Sequence, residues 1–584
     1  MLVQAASDVP NRPTRELRTL FADEWNYVME QNPTAASRLG DRRWNDRWED
    51  VSLEAIETRH RHDRETLARL RKIDRKKLSA SDQLNYDLFA LQYALAIEEH
   101  PYRDFLRPLN QREGVQTADD LASALRFETV KDYEDWIGRV HSIPLYLNQT
   151  MALMKEGIKE RIVQPKITMQ RVPGQIDKQI VESPERSPFY KPFESFPDSI
   201  PAADRQRLTK SAAEIISANT IPAYRKFKDF FVNEYLPACF DQPGAWQMPD
   251  GEERYAFLAR KFTTTRLSPQ EIHAIGLREV ARIRAEMQVV MDQVGFKGTL
   301  QEFFKYLRTD PKFYCKTPDE LLTTYRSVSK RIDPHLVKIF RLLPRMPYGI
   351  EPIPDNIAPD TTAAYYRQPA ADGSRAGTYF VNLYRPEMRP KYEMMALSLH
   401  EAVPGHHLQI ALAYEQGDLP SFRRFGDYTA FVEGWGLYAE SLGEDMGLYD
   451  DPYSKFGQLT YEMWRAVRLV VDTGIHFLRW DRQQAIDYFL GNAAKSELDV
   501  VNEIDRYISW PGQALAYKIG ELKIQELRRR AHKELANQFD LREFHEVILK
   551  PGPVPLDVLE REVDEWIASV KQREAARYSG QRKK

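Results

Sequence analysis

Residues 398–409 combine a helical approach with residues that a regular helix cannot carry. Three of the chain's twelve histidines fall here, in Ser398-Leu399-His400-Glu401-Ala402-Val403-Pro404-Gly405-His406-His407-Leu408-Gln409. Met394, Met395, Ala396, Leu397 and Leu399 lead in as an apolar, buried helix. Pro404 then has no N–H for the carbonyl of His400, and its ring clashes there. On an unbroken helix, six residues turn a side chain through about 600°, which leaves His406 roughly 120° away from His400. His407 would face the same way as His400, but ~10 Å further along the axis. Gly405 permits backbone angles that other residues avoid. The Pro-Gly pair is therefore expected to bulge the helix and swing His406 back beside His400.

Two such imidazoles with a glutamate next to the first point to a catalytic divalent metal. Catalytic zinc takes three protein ligands and keeps one position for water. The short solution is H-E-x-x-H, with the glutamate taking a proton from that water. His400 and His406 are the expected ligands, His407 is the alternative or a supporting group, and Glu401 is the expected base. A third ligand is available in Phe431-Val432-Glu433-Gly434-Trp435-Gly436-Leu437-Tyr438-Ala439-Glu440. Glu433 lies 27 residues after His406, enough for a helix, a turn and a return. Gly434 and Gly436 leave room beside it for backbone or substrate. Glu440, two turns on, is expected to hold a ligand imidazole through its other ring nitrogen. One Zn2+ per chain is expected. The competing reading is an amphipathic helix end with exposed acids and solvated histidines.

These residues also carry a likeness. The chain resembles a large bacterial family catalogued as a domain of unknown function and grouped with gluzincin-like zinc metallopeptidases. Members carry H-E-x-x-P-G-H-x-x-Q, matched by His400, Glu401, Pro404, Gly405, His406 and Gln409. They also carry E-G-W-x-x-Y-x-E, matched by Glu433, Gly434, Trp435, Tyr438 and Glu440. The stretches 377–382, 468–476 and 506–518 are similar to the family too, and the likeness runs from about residue 15 to 575. It implies a mainly α, large helical zinc-metallopeptidase-like fold and little about substrate. Wider kin among the helical zinc peptidases use H-E-x-x-H without the two inserted residues.

Within those stretches, Tyr517 is the first candidate to donate to a tetrahedral oxyanion, followed by His476 and Tyr507. Asp472 lies one helical turn before His476 and is expected to orient it. Arg468 is a candidate for a substrate carboxylate. Tyr379, Asn382, Tyr507 and Gln513 are further expected substrate contacts.

Elsewhere the pattern is amphipathic helix, as in Leu17, Leu20, Phe21, Trp25 and Val28, or Leu84, Leu88, Leu91 and Leu95. Ser268-Pro269-Gln270-Glu271 is a capping box that opens a helix, and a charged helix is expected from about Glu521 to Glu534. Residues 183–202 read as a loop or linker. Residues 343–386 hold short β-like runs, expected as a small β-sheet beside the metal helix whose edge suits an extended peptide or merely braces the helix. The expected division is an N-terminal helical region, 1–200, and a catalytic helical region, 201–584.

The net charge of −3, with 29% charged residues, implies no nucleic-acid or membrane-surface partner. No apolar run reaches the ~18–20 residues of a membrane span. Cys239 and Cys315 make no disulfide framework. As written, the N-terminus predicts a cytoplasmic chain. Val3-Gln4-Ala5 resembles the end of an export leader, which would make the protein periplasmic or exported. The tail Gln581-Arg582-Lys583-Lys584 is expected to fray.

The sequence thus predicts a zinc-dependent peptidase of short or unfolded peptides. The alternatives are a zinc hydrolase of a non-peptide amide or ester, and a non-catalytic binding protein that retains the fold.

Overall fold

The computed structural model describes residues 11–355, 358–360 and 362–581. The leader-like Met1–Pro10 and the basic tail from Arg582 lie outside them. The chain is mainly helical with a three-stranded sheet, the expected class. It forms two compact units: residues 1–241 with 418–423, and residues 242–417 with 424–584. The expected division at residue 200 falls inside the first unit, whose helices run on from Ala202 to Ala238.

In the first unit, Asn11 caps the helix Arg12–Gln31, accepting from Thr14 N–H. That helix turns Leu17, Leu20 and Phe21 toward Leu67, Leu70, Phe89 and Tyr93. Of Leu84, Leu88, Leu91 and Leu95, only Leu88 is fully buried, because Phe89 and Tyr93 carry the stripe instead. The six-residue return, 418–423, adds the Phe422 ring, 4.9 Å from Phe21 and 5.1 Å from Phe89. Residues 183–202 hold two short 3-10 turns and bury Phe189, Tyr190 and Phe193, so the stretch is packed rather than a free linker.

The second unit carries the metal-site candidates. Helix α1 (Pro269–Gln293) opens on the expected capping box of Ser268 and Glu271. The sheet follows, with strands β1 (Tyr348–Pro352), β2 (Ala364–Arg367) and β3 (Gly377–Val381) near the expected runs. Its order is β1-β3-β2. Tyr348 pairs with Gly377 in parallel, and Ala364 with Val381 antiparallel. The central strand β3 is buried along its length.

Next come α2 (Met394–Glu401), α3 (His406–Glu415) and α4 (Thr429–Met446). Helices α5 (Pro452–His476), α6 (Glu497–Ser509) and α7 (Ala516–Leu535) complete the surroundings of the site. Nearly every residue of α5 from Phe456 to His476 is buried, so its Glu462, Arg465, Arg468, Asp472 and His476 must find partners inside the protein. Where α4 crosses α7 the backbones nearly touch. A Cβ on Gly434 would stand 2.6 Å from Gly520 backbone atoms, and one on Gly520 would overlap the carbonyl oxygen of Ala430.

The far side of α4 is pinned by His545. Its Nδ1–H donates to the Ile339 carbonyl (2.8 Å) and its Nε2 accepts from the Tyr438 hydroxyl (2.9 Å). Burial pushes this imidazole down to about 3. The unfolded chain therefore binds a proton near pH 6.5 that the folded chain refuses until about pH 3. Stability should fall as pH drops through that window, by up to about 1.4 kcal/mol per pH unit from this residue. Melting curves of wild type and His545→Asn between pH 7 and 4 test this. The variant should be less stable at neutral pH and show a shallower decline.

Candidate metal centre

Helix α2 ends at Glu401 and α3 begins at His406, so the expected bulge within one helix is a full break. Ala402 N–H still donates to Ser398 O (3.0 Å), but His407 N–H reaches back to Ala402 O (3.1 Å) across the turn. The Val403–Pro404 peptide is cis. Gly405 has no space for a Cβ, which would overlap the carbonyl oxygens of His400 and Leu399. The indole N–H of Trp435, on α4, donates to Pro404 O at 2.8 Å and ties the break to the neighbouring helix.

The break brings the imidazoles of His400 and His406 together, with ring centroids 4.7 Å apart and planes at 87°. Glu433 Oε2 lies 3.5 Å from Nε2 of His400 and 3.4 Å from Nε2 of His406. One ligand atom from each of the three residues lies within 4.8 Å of the others. Donors about 2.0–2.1 Å from a tetrahedral zinc would be about 3.3 Å apart. The two histidine–glutamate separations already match that spacing. Glu433 Oε2 is buried and lacks a hydrogen-bond partner, so an ion at this point would satisfy a group that is otherwise left wanting. Side-chain exposure rises from 3% at His400 to 10% at His406 and 19% at Glu433, which marks the open side of the cluster. A Cβ on Gly436 would stand 2.8–2.9 Å from the His400 ring. That glycine makes room for a ring, while Gly434 serves the helix crossing.

Further groups fix these three. Glu440 Oε1 takes the Nδ1–H of His400 at 2.8 Å, leaving Nε2 toward Glu433. The amide nitrogen of Gln409 donates to Val432 O (2.8 Å) and lies 3.0 Å from His406 Nδ1. Burial opposes a charge on His400, but Glu433 and Glu440 outweigh it and lift the imidazole to about 9. Burial likewise opposes the Glu433 carboxylate, and His406 and His400 overcome it, holding the group well below its ordinary value. The cluster favours positive charge at its centre. Its donors and their spacing fit a divalent ion held by His400, His406 and Glu433.

His407 faces elsewhere. Its Nδ1 accepts from the Tyr366 hydroxyl (2.8 Å) and its Nε2–H donates to Met346 O (2.9 Å). It anchors β2 and the approach to β1, and burial pushes it down to about 4. Glu401, the last residue of α2, is 9% exposed.

Several expected substrate contacts have structural duties instead. Tyr379 lies on the central strand, fully buried, with its ring edge-on to Tyr325 at 5.9 Å. Asn382 is also fully buried. It donates to Ala358 O (2.8 Å) and Thr362 O (3.1 Å) and accepts from Tyr384 N–H (2.9 Å). His476, expected as an oxyanion donor, accepts from Ala245 N–H at Nδ1 (3.1 Å) and donates from Nε2 to Tyr507 O (2.9 Å). Asp472 receives the Tyr255 hydroxyl (2.6 Å) and Gly512 N–H (3.1 Å), so it holds the Pro511-Gly512 turn ahead of Tyr517. Burial raises its carboxyl to about 7.

The remaining candidates form one network. The Tyr507 hydroxyl accepts from Trp464 Nε1 (2.9 Å) and Arg468 Nε (2.8 Å). Arg468 also donates to Glu503 (3.0 Å). Arg506 donates to Gln513 Oε1 and to the Tyr517 hydroxyl, both at 2.9 Å. Gln409, Arg465, Glu503, Arg506 and Asp427 had no assigned role at the level of sequence. The Asp427 carboxyl is exposed and lies within electrostatic reach of Glu433, which pushes it up, and of His406, which pulls it down. No periodicity in 425–429 singles it out.

A helical protein with a His-His-Glu cluster across a broken helix is the class that fold and site define. The chain belongs to the family described as bacterial protein of unknown function (DUF885), whose model matches residues 33–563. Among solved structures it is similar to a protein of Colwellia psychrerythraea described as a "putative lipoprotein". Identity is 30%, the TM-score is 0.90, and the match covers 95% of this chain and 99% of that one. It shares its fold with a protein of Shewanella oneidensis described as a "putative lipoprotein of unknown function", at 16% identity and TM-score 0.70, covering 94% and 99%. No curated protein matches. Among the described residues, no helix is long and apolar enough to cross a membrane.

The geometry makes the two neighbouring histidines separable. Zinc content after purification and zinc loading should be about one per chain in wild type and His407→Ala, and be lost in His406→Ala. Because His400 is lifted to about 9, binding at pH 7 should release protons. Zinc titrations in weakly and strongly protonating buffers should show that release, with apparent affinity rising from pH 6 to 9.

Proposed function

We propose that the chain is a zinc-dependent peptidase. The observation that carries this reading is the approach of Glu433 Oε2 to Nε2 of both His400 and His406, with Glu401 directly following the first histidine. Zinc there would supply Lewis acidity, polarising a substrate carbonyl and acidifying water. The chain's own residues do the rest. Glu440 and Gln409 orient the two imidazoles. Glu401 takes the water proton and passes it to the departing amide nitrogen. The Tyr517 hydroxyl accepts from Arg506, which leaves its own proton to be given to the developing oxyanion.

A base beside the first ligand supports hydrolysis over a purely structural ion, because a structural site closes all four positions with protein ligands and has no use for a base. The solved relative at 30% identity, described as a "putative lipoprotein", supports an exported setting.

Glu401→Gln should keep about one zinc per chain and lose peptide hydrolysis on the order of 10²–10⁴-fold. Tyr517→Phe should lower kcat by roughly 10²–10³-fold with a smaller change in KM. Turnover of a quenched peptide library beside elemental analysis of each variant checks both. Undiminished turnover in Glu401→Gln would sink the mechanism. Turnover of simple esters or non-peptide amides alone would favour the other hydrolase reading.

A further inference from the structure

Of one group of buried charges, only Arg506 has a task in that mechanism, as donor to the Tyr517 hydroxyl. Arg465 and Arg468 of α5 and Arg506 of α6 converge on the ring of Tyr517, with guanidinium carbons 6.0, 4.2 and 5.8 Å from its centroid. Two carboxylates serve the three. Glu503 lies 3.0 Å from Arg468 Nη2 and 3.7 Å from Arg506 Nη1. Glu440 lies 3.5 Å from Arg465 Nη2, but it already accepts from His400. The other filled positions are neutral: the Tyr507 and Tyr517 hydroxyls, Gln513 Oε1 and the Tyr461 carbonyl.

Each guanidinium keeps one buried nitrogen without a partner, namely Nε of Arg465, Nη1 of Arg468 and Nε of Arg506. A buried charged donor left unpaired costs more than a neutral one. Three cations around one ring, with two carboxylates of which one is shared with a metal-site imidazole, leave a positive excess that an anion would balance. The planar fork of arginine matches a carboxylate in shape. Arg506 keeps 12% of its side chain accessible, beside half-buried Trp510 and Gln513, so the cluster opens to solvent at that point.

We propose that Arg506, with Arg468 and Arg465 behind it, binds the C-terminal carboxylate of the peptide substrate, so that the protein acts as a carboxypeptidase. The inference rests on the peptidase reading and narrows its substrate class. Two contacts, His400 to Glu440 and Glu440 to Arg465, connect the metal cluster to the arginines. A carboxylate held at the arginines and a peptide bond held at the metal would therefore belong to one short C-terminal stretch. Hydrolysis adds one water across the C–N bond. The N-terminal fragment leaves with a new carboxylate, and the short C-terminal fragment gains an amino group while its original carboxylate stays with the arginines. A chain end is the carboxylate every unmodified peptide carries, so an enclosed site for it requires no particular side chain.

The test uses full-length, zinc-loaded protein and an N-acetylated pentapeptide library prepared as free acids and as C-terminal amides. Binding is measured by calorimetry on Glu401→Gln and cleavage by mass spectrometry on wild type. Free acids should bind about tenfold to hundredfold more tightly than amides, the scale of one charge-assisted pair. Products should be short C-terminal fragments. Arg506→Gln should bring the acid-to-amide ratio to about one, and Arg506→Lys should restore part of it. The acid and amide comparison on Glu401→Gln needs no arginine variant, so a misfolded variant does not decide the outcome. Equal binding of acids and amides, with internal cleavage, would overturn the carboxylate site and leave the peptidase reading standing. Tight binding of amides that carry internal glutamate would overturn it in favour of a side-chain site. Failure of any peptide to bind or be cut, with zinc present, would overturn both.

Discussion

A methyl group on Gly405 would overlap the carbonyl oxygens of both His400 and Leu399, and the site depends on the contact that this glycine allows. The chain folds back on the end of α2 more tightly than any other residue permits. That reversal moves His406 from the far side of a helix to within a ring's width of His400. The Trp435 indole then fixes the turn from outside through Pro404. Each later feature of the centre follows: the shared approach of Glu433, the turn of the buried His407 away from the cluster toward Tyr366 and Met346, and the placement of Glu401 at a helix end.

Helix α5 sets the second constraint. It is buried along most of its length, yet it carries Glu462, Arg465, Arg468, Asp472 and His476. Burial of so many polar groups is tolerable only where each finds a partner. Glu462 takes Lys518 at 2.8 Å, Asp472 takes Tyr255 and Gly512, and His476 bridges two backbone groups. These contacts tie α5 to α7 and to the turn before it, so the helix that backs the metal cluster also positions Tyr517. The arginines of α5 are the exception to that completeness, with nitrogens left unpaired.

Much of the fold was legible because its signals are local. The capping box at Ser268, the three β-like runs and the helical periodicity all appear as structure near the expected residues. The break at Pro404-Gly405 was legible as a conflict between period and residue type, although its form was not: a bulge and a two-helix break satisfy the same sequence. Roles that depend on which way a side chain turns were far less legible. Asp472 and His476 stand one turn apart in sequence, but Asp472 is taken by Gly512 and Tyr255, and His476 by Ala245 and the Tyr507 carbonyl, partners supplied by distant segments. Tyr379 reads as an accessible strand residue until β1 and β2 flank its strand on both sides. Arg506 and Glu503 carry no pattern of their own, and their meaning comes only from convergence with α5.

The glycines of this centre separate ancestry from chemistry. Gly405, Gly434, Gly436 and Gly520 are each required by something other than a reacting atom: a chain reversal, a helix crossing or a ring's thickness. A descendant that exchanged His400 or Glu433 for inert residues would lose the His-His-Glu cluster and keep needing three of these four glycines to pack at all. Gly436 alone, which makes room for an imidazole, would be free to drift. A sequence that keeps Gly405, Gly434 and Gly520 but fills position 436 with a larger side chain would therefore read as a retired member of the lineage, folded as before and no longer built around a pair of imidazoles.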